Sequence, residues 1–463
     1  MRLKIALTVG LLVLASAVIL PYIGAAPKAA PQTAAKSGPP VLAVTSPIGL
    51  TAWLVSDQSL PIITIEMAWR GGSVTDPAGK LGLTYLLTTL LNEGAGDLDS
   101  QSFQRAMADN AISLGFKSSR DDITGTLRCL SKFKQTCFKL LKLALSDPRF
   151  DDDAVARMKN DHHARFRRRL QNPQALASQQ FFASAFAGHP YANNPLGSID
   201  SVQALTRADV QAQFDRHIAR DNMHLAVVGD IEAHELAPLM DDFFGALPAT
   251  SQLPDIAHVT PAAEPVSDHI ARDGPQTTVI FGFQGLGYDD PNYWPARILT
   301  NGLGGGSLSS ILGDEVRNKR GLAYGVSTQL VNLRYANLWI GYVASDNKTA
   351  QQAMDVIQQE IDKFTDFGGR LRYWATGRNL LTTARTYLTG SYALNFDSGQ
   401  KIANQLIGVQ LLGFPVTYFE TRNRQIEAVT WRQTMGVAKT LLDQSLRISS
   451  VGGTAIALPS QRP

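Results

Sequence analysis

Residues 64–96 and 277–306 follow one order of parts: a strand-like alternation, a loop carrying Asp-Pro, a helical run and a glycine cluster. Asp76-Pro77 and Asp290-Pro291 take corresponding places in "TIEMAWRGGSVTDPAGKLGLTYLLTTLLNEGAG" and "TTVIFGFQGLGYDDPNYWPARILTNGLGGG". A plan repeated at this scale implies two copies of one unit, each with a hydrophobic face to bury. A chain of 463 residues is also too long for one core of average size. The expected fold is therefore α+β, built as two similar duplicated domains. Residues 42–248 make the first domain and 276–456 the second, with the Pro-containing polar stretch 249–275 as linker.

Within the first copy, "PIITIEMAWRGGSVTD" alternates like a strand and breaks at Gly71-Gly72. "SSRDDITGTLRCL" predicts another strand, and "SKFKQTCFKLLKLALSDPRF" an amphipathic helix stopped near Pro148. On the helical run 82–91, Tyr85, Thr88 and Thr89 stand at i, i+3 and i+4, which aligns them on one side.

The amino terminus has a different character. Arg2 and Lys4 precede an uncharged, mostly apolar run from Ile5 to Leu20, followed by "GAAPKAAPQTAAKSGPP". Residues 1–26 read as an export signal or an N-terminal membrane anchor through residues 5–20, and 27–41 as a Pro/Ala-rich tether. This predicts an exported, periplasmic protein, cleaved free or held at the inner membrane. The 43 basic and 40 acidic side chains are too balanced for a nucleic-acid binder. Cys129 and Cys137 are the only cysteines, which excludes a disulfide framework or a Cys-type zinc cluster. They fall on a strand and the helix after it, and buried thiols are the default reading, with a disulfide as the alternative.

Several motifs point to chemistry that their context does not support. "GLGGGS" at 302–307 lacks the Gly-Lys-Ser/Thr ending of a phosphate loop and reads as a turn before a helix. His162 and His163 are adjacent, so their side chains diverge by about 100° on a helix and read as surface residues rather than paired ligands. His189 reads as a packing or hydrogen-bonding residue in a loop. A more specific signal lies in "SSILGDEVRNKRGLAYGVSTQLV", which predicts a helix ending near Gly321 and a strand from Leu322. That junction brings Arg317, in the last helical turn, toward Tyr324. A guanidinium and a phenol together can donate to a carbonyl oxygen that gains negative charge during amide hydrolysis.

"NGLGGGSLSSILGDEVRNKRGLAYGV" strongly resembles the second-domain motif of the pitrilysin/insulinase family of zinc metallopeptidases. The resemblance extends over roughly residues 42–450, including "GKLGLTYLLTTLLNEGAG", "GHPYANNPLGS" and "DNMHLAVVGDI". It implies a clamshell-type fold in which each domain has a mainly antiparallel sheet and packed helices. It also implies that Arg317 and Tyr324, which match the family's arginine-tyrosine pair in type and spacing, contact substrate. Active relatives carry the inverted zinc motif H-x-x-E-H after a Gly-Leu pair. Aligned from Gly82-Leu83, its positions fall on Tyr85, Thr88 and Thr89, and the distal glutamate falls within "DHHARF" at 161–166, where no glutamate occurs.

The resemblance thus implies a non-catalytic, substrate-binding subunit that holds no metal of its own. Its partner is then a homologous zinc-bearing peptidase subunit, whose zinc site Arg317 and Tyr324 complement during peptide hydrolysis. An exposed strand edge, placed at "KSSRDDITGTL", would align the peptide by strand addition. The alternatives are a peptide-binding or scaffold protein with no peptidase activity, and an autonomous enzyme with another metal set drawn from His162, His163 or His189.

Overall fold

The computed structural model describes residues 38–305, 310–366 and 378–458, which belong to one compact unit. The expectations for residues 1–26, and for most of 27–41, fall outside the described residues. Among the described residues no helix is long and apolar enough to cross a membrane.

Two sheets organise the chain. The first contains β1 (Leu42–Thr45), β2 (Thr51–Ser56), β3 (Ile62–Arg70), β4 (Ser113–Ser118), β5 (Asp122–Leu130) and β6 (Met223–Gly229), in the order β1-β2-β6-β3-β5-β4. The second contains β7 (Ser267–Ala271), β8 (Gln276–Gln284), β9 (Ala323–Asn332), β10 (Asn337–Asp346) and β11 (Arg447–Gly452), in the order β7-β11-β8-β10-β9. With β1 set aside, the two orders are the same. β2 pairs with β6 in parallel as β7 does with β11, and every other pairing is antiparallel. The fold is α+β with two duplicated domains, as the repeated strand-loop-helix plan predicts. The stretch read as a linker, 249–275, nevertheless supplies β7, the counterpart of β2. Five residues, four half-buried and one exposed, beside a proline-rich run carry too short an alternation to announce a strand.

The central strands explain how the halves are joined. In β3 ("IITIEMAWR") and β8 ("QTTVIFGFQ") nearly every residue is buried, so both faces of each sheet are covered. One cover comes from the strand's own half. The other comes from the opposite half: the helix Pro173–Ala185 lies on β8 and β11, and the helix Gly399–Leu411 lies on β3 and β6. Phe181, Phe182 and Ala185 of the first pack with Ile280, Leu338 and Val451. Ile402, Leu406 and Ile407 of the second pack with Trp53, Val55 and Val228. Burial of this apolar surface is worth roughly 25 cal/mol per Å2, so the exchange stabilises each half through the other.

Polar contacts set the register of the exchange. Gln400 Nε2 donates to Glu66 Oε2 (2.9 Å), which also accepts from Thr126 Oγ1 (2.6 Å) on β5. At the other junction the Tyr191 hydroxyl donates to Asp121 Oδ1 (2.5 Å), while the Arg334 N–H donates to Asp121 Oδ2 (3.0 Å). The Tyr335 N–H in turn donates to the Tyr191 oxygen (3.0 Å). The β4–β5 turn is thereby bonded to the β9–β10 turn. Burial pushes the Asp121 carboxyl above its ordinary range, and these donors work against that shift.

Cys129 on β5 and Cys137 on the following helix, Lys134–Ser146, form a disulfide with Cα atoms 6.5 Å apart. This corrects the default reading of two buried thiols. Both cysteines point into one core, and sequence separation alone does not report that convergence.

His217 ends the helix Arg207–His217 and packs beneath the Gly71-Gly72 loop that leads from β3 to the next helix. Its Nδ1–H donates to the Gln213 carbonyl (2.8 Å), leaving Nε2 to accept from Thr75 Oγ1 (2.8 Å). Gly71 has φ +96°, and a Cβ there would lie 3.0 Å from the imidazole, so this close approach requires glycine. Burial holds the imidazole neutral and lowers its pKa to about 4. The unfolded chain protonates this group near the ordinary value of about 6.5, so stability falls as pH drops through the window between the two values. The loss expected from this one group is on the order of 3 kcal/mol. Urea denaturation at pH 7 and pH 4.5 should show a smaller pH-dependent loss for His217→Gln than for the parent chain.

Candidate functional site

The helix Leu83–Leu90 turns Leu83, Leu86, Leu87 and Leu90 into the core. It starts abruptly at Gly82 (φ +89°), where a Cβ would meet the Leu196 carbonyl at 2.7 Å. Asp76 holds that start: its carboxylate accepts from the Gly82 N–H (2.8 Å), the Thr84 N–H (2.9 Å) and Thr84 Oγ1 (2.6 Å). The aspartate of the repeated Asp-Pro pair therefore serves as the anchor of this helix. Burial raises its pKa to about 6 even against these donors.

Tyr85, Thr88 and Thr89 share the opposite side, as their spacing predicts, and none is arranged as a metal ligand. Thr88 Oγ1 donates to the Tyr85 carbonyl and Thr89 Oγ1 to the Leu86 carbonyl, each at 2.8 Å. Both hydroxyl protons are spent on the helix's own backbone. The Tyr85 ring lies 5.4 Å from the ring of His162, which lies 5.8 Å from that of Phe166. Both of these partners belong to the helix Asp152–Leu170.

His162 corrects a sequence expectation. It is 1% exposed rather than a surface residue, and its Nε2–H donates to the Leu196 carbonyl (2.7 Å). Burial lowers its pKa, so it is held neutral. The signal available in the sequence was helical phase: His162 lies four residues before buried Phe166, on the same side. His163 is turned away from it, and both ring nitrogens of His189 are committed, to the Ala257 carbonyl (3.0 Å) and the Tyr191 N–H (3.1 Å).

The family's zinc does not fit the residues present. Two threonine hydroxyls and a phenol are poor zinc donors, and the imidazole packed against the phenol, that of His162, donates its Nε2–H to the Leu196 carbonyl. Among the described residues no group of three or more His, Cys, Asp or Glu is placed to hold a metal. The purified chain is expected to carry far less than one zinc per molecule by elemental mass spectrometry, even when prepared without chelators.

Arg317 and Tyr324 come from the other half. Residues Gly313–Asn318 form a π-helical turn, in which the Lys319 N–H reaches back to the Asp314 carbonyl (2.9 Å). The reversal into β9 closes through the Gly321 N–H to the Arg317 carbonyl and the Leu322 N–H to the Val316 carbonyl, both 2.9 Å. Gly321 at φ +62° permits the turn. Around Arg317 the other cations are paired: Lys319 with Asp314 (2.8 Å) and Glu315 (2.6 Å), and Arg320 with Glu315. Arg320, then Lys319, draws the Glu315 pKa down to about 2. Among the described residues the Arg317 side chain has no hydrogen-bond or ion-pair partner, and it is exposed.

Tyr324 is 81% exposed, and the sheet register explains why. Ala344 on β10 pairs with Gly325 and Ser345 with Ala323, so Tyr324 is the extra residue of a β-bulge. A bulge on an edge strand re-aims its side chain away from the ladder. The helix-strand junction predicted from sequence is present, but the bulge that exposes the phenol has no signal in it.

The strand edge proposed in the first domain is displaced from its expected place. β4 is the edge, whereas β5 is paired on both sides. Only Lys117 and Ser118 of "KSSRDDITGTL" belong to that edge strand; Ser119 lies in the turn, where its N–H donates to the Asp122 carbonyl (2.8 Å). The Leu114 carbonyl faces off the sheet, where it accepts from Asn92 Nδ2 (3.1 Å), and by alternation the backbones of Phe116 and Ser118 face the same way.

Comparison with known proteins matches two family descriptions in succession. Residues 52–198 match "Insulinase (Peptidase family M16)" and residues 204–369 match "Peptidase M16 inactive domain". The chain is 24% identical over 376 residues to the non-peptidase homolog YmxG of Helicobacter pylori, covering 81% of this chain and 85% of that one. It is 27% identical over 307 residues to an uncharacterized zinc protease of Mycobacterium tuberculosis, covering 63% and 66%. The crystal structure of a peptidase M16 inactive domain from Pseudomonas fluorescens superposes with TM-score 0.80 at 26% identity, covering 90% of this chain and 100% of that one. With the duplicated sheets, the arginine-tyrosine junction and the altered zinc helix in place, the chain belongs to the insulinase family of peptidases, as a member whose own zinc position is built for packing.

Proposed function

We propose that this protein is the non-catalytic, substrate-binding subunit of a heterodimeric zinc metallopeptidase. The observation that carries the reading is an exposed Arg317, unpaired among the described residues, on the turn that leads into β9, where the bulge exposes Tyr324, in a chain whose metal-ligand positions hold Tyr85, Thr88 and Thr89. An exposed guanidinium whose neighbouring carboxylates are bonded to Lys319 and Arg320 is available to an external acceptor.

In the mixed complex a homologous partner supplies zinc, the activated water and the carboxylate that takes its proton. Arg317 and Tyr324 donate to the peptide carbonyl or to its developing oxyanion. The outward backbone groups of β4 at Phe116 and Ser118 offer a ladder on which an extended peptide can lie. Export to an oxidising compartment fits the Cys129–Cys137 disulfide and the apolar run Ile5–Leu20.

The test is cleavage of a quenched fluorescent peptide library by this chain mixed with a zinc-bearing homologue, against each chain alone. Activity confined to the mixture supports the reading; equal activity of the homologue alone rejects it. In the active mixture, Arg317→Ala should lower kcat/KM by about 10²–10³ with zinc content unchanged. An unchanged rate would remove Arg317 from the mechanism.

A further inference from the structure

The second half contains a cleft with no assigned role. It holds about 410 Å3 and lies between the helix Tyr293–Gly304, the edge strand β9 and the segments around Tyr392 and Arg422. By topology it is the counterpart of the space that Tyr85, His162 and Phe166 fill in the first half: each follows a central strand and lies beside an edge strand. In the second half the described residues leave a cleft there.

Its electrostatics are one-sided. Arg297 and Arg422 line it, and among the described residues no carboxylate does. Arg422 is only 8% exposed, yet among the described residues it meets no acidic partner. Its Nη1 donates to the Leu388 carbonyl (3.1 Å) and to Asn423 Oδ1 (2.8 Å), and its guanidinium lies 3.8 Å from the centre of the Tyr392 ring. Neutral acceptors and a ring face offset only part of the cost of burying a cation, which is ordinarily met by a counter-charge. Half-buried Arg297 likewise has no carboxylate partner among the described residues. The hydroxyls of Thr300 and Tyr392, both on lining residues, are buried without a hydrogen-bond partner there.

We propose that this cleft binds the C-terminal carboxylate of a peptide, with Arg297 and Arg422 as its counter-charges. The inference rests on the reading of the chain as a peptide-binding subunit. Ser327, Thr328 and Gln329 of β9 line the cleft, three to five residues along the strand from Tyr324. At about 3.3 Å per residue that is roughly 10–17 Å, so a peptide extended along β9 from Tyr324 reaches the cleft with a residue three to five positions away. The aromatic and aliphatic lining from Tyr387, Leu388 and Tyr392 gives apolar surface for a terminal side chain, which a free phosphate ion would not use.

The experiment is isothermal titration of the full chain, with neither partner nor zinc, using one ten-residue peptide as free acid and as C-terminal amide, and inorganic phosphate as a third ligand. The free acid should bind at least about tenfold more tightly than the amide, phosphate should compete with it, and Arg297→Gln should abolish the difference between acid and amide. Arg422→Gln should act in the same direction, with Arg297→Gln as the deciding variant because Arg422 is buried. Arg317→Ala should weaken both peptides while preserving their ratio. Equal binding of acid and amide, or a ratio that survives Arg297→Gln, overturns the pocket and leaves the peptide-binding reading standing. Phosphate binding that neither peptide can displace assigns the cleft to a free anion and overturns the peptide terminus. Failure of both peptides to bind overturns the pocket and the peptide-binding reading together.

Discussion

Each sheet in this protein takes one of its two covering layers from the opposite half of the chain. Without the helix Gly399–Leu411 the outer face of β2, β3 and β6 would expose Trp53, Val55, Ala68 and Val228. Without Pro173–Ala185, Ile280 and Val451 would lose their cover. A strand buried on both faces cannot tolerate the loss of either layer, so the two halves fold around shared cores. The duplicated sheet topology and the exchanged helices make one compact unit out of two copies of the same plan.

That shared body determines where chemistry is available. The central strands are sealed, and unpaired strand backbone lies at the sheet edges, which include β4 in one sheet and its counterpart β9 in the other. Each edge is accompanied by the helix that follows its half's first central strand. In the first half the space there is closed by aromatic packing between Tyr85 and His162, and the threonine hydroxyls are turned back on the helix. In the second half the corresponding region is open and cationic, and the bulge in β9 lifts Tyr324 clear of the ladder. Among the described residues the first half holds no cluster of metal-ligating side chains, while the second presents an exposed guanidinium and phenol and a cationic cleft.

Much of this was legible from residue patterns. The repeated Asp-Pro loops and glycine clusters marked the duplication, and Tyr85, Thr88 and Thr89 occupy one helical face as their spacing requires. The helix-strand junction at Gly321 lies where the sequence places it. Other features escaped for identifiable reasons. β7 is too short for its alternation to stand out from a proline-rich stretch. Gly302 and Gly304, read as part of a turn before a helix, instead lie in the last turn of Tyr293–Gly304, because the helix's packing continues past the point where glycine propensity would end it. His162 looked like a surface residue because its neighbours are polar, although Phe166 shares its face.

The sequence by itself determined the local periodicities, the duplication and the chemical identity of Tyr85, Thr88 and Thr89 on one helical face, since these depend on neighbours within a few residues or on repetition along the chain. Tertiary structure alone decided which helix covers which sheet, that Cys129 meets Cys137, that Asp121 is shared by Tyr191 and Arg334, and that Arg422 is buried with no carboxylate partner among the described residues. These depend on contacts between residues far apart in the chain, or on the summed packing around one group. Backbone periodicity carries no record of either.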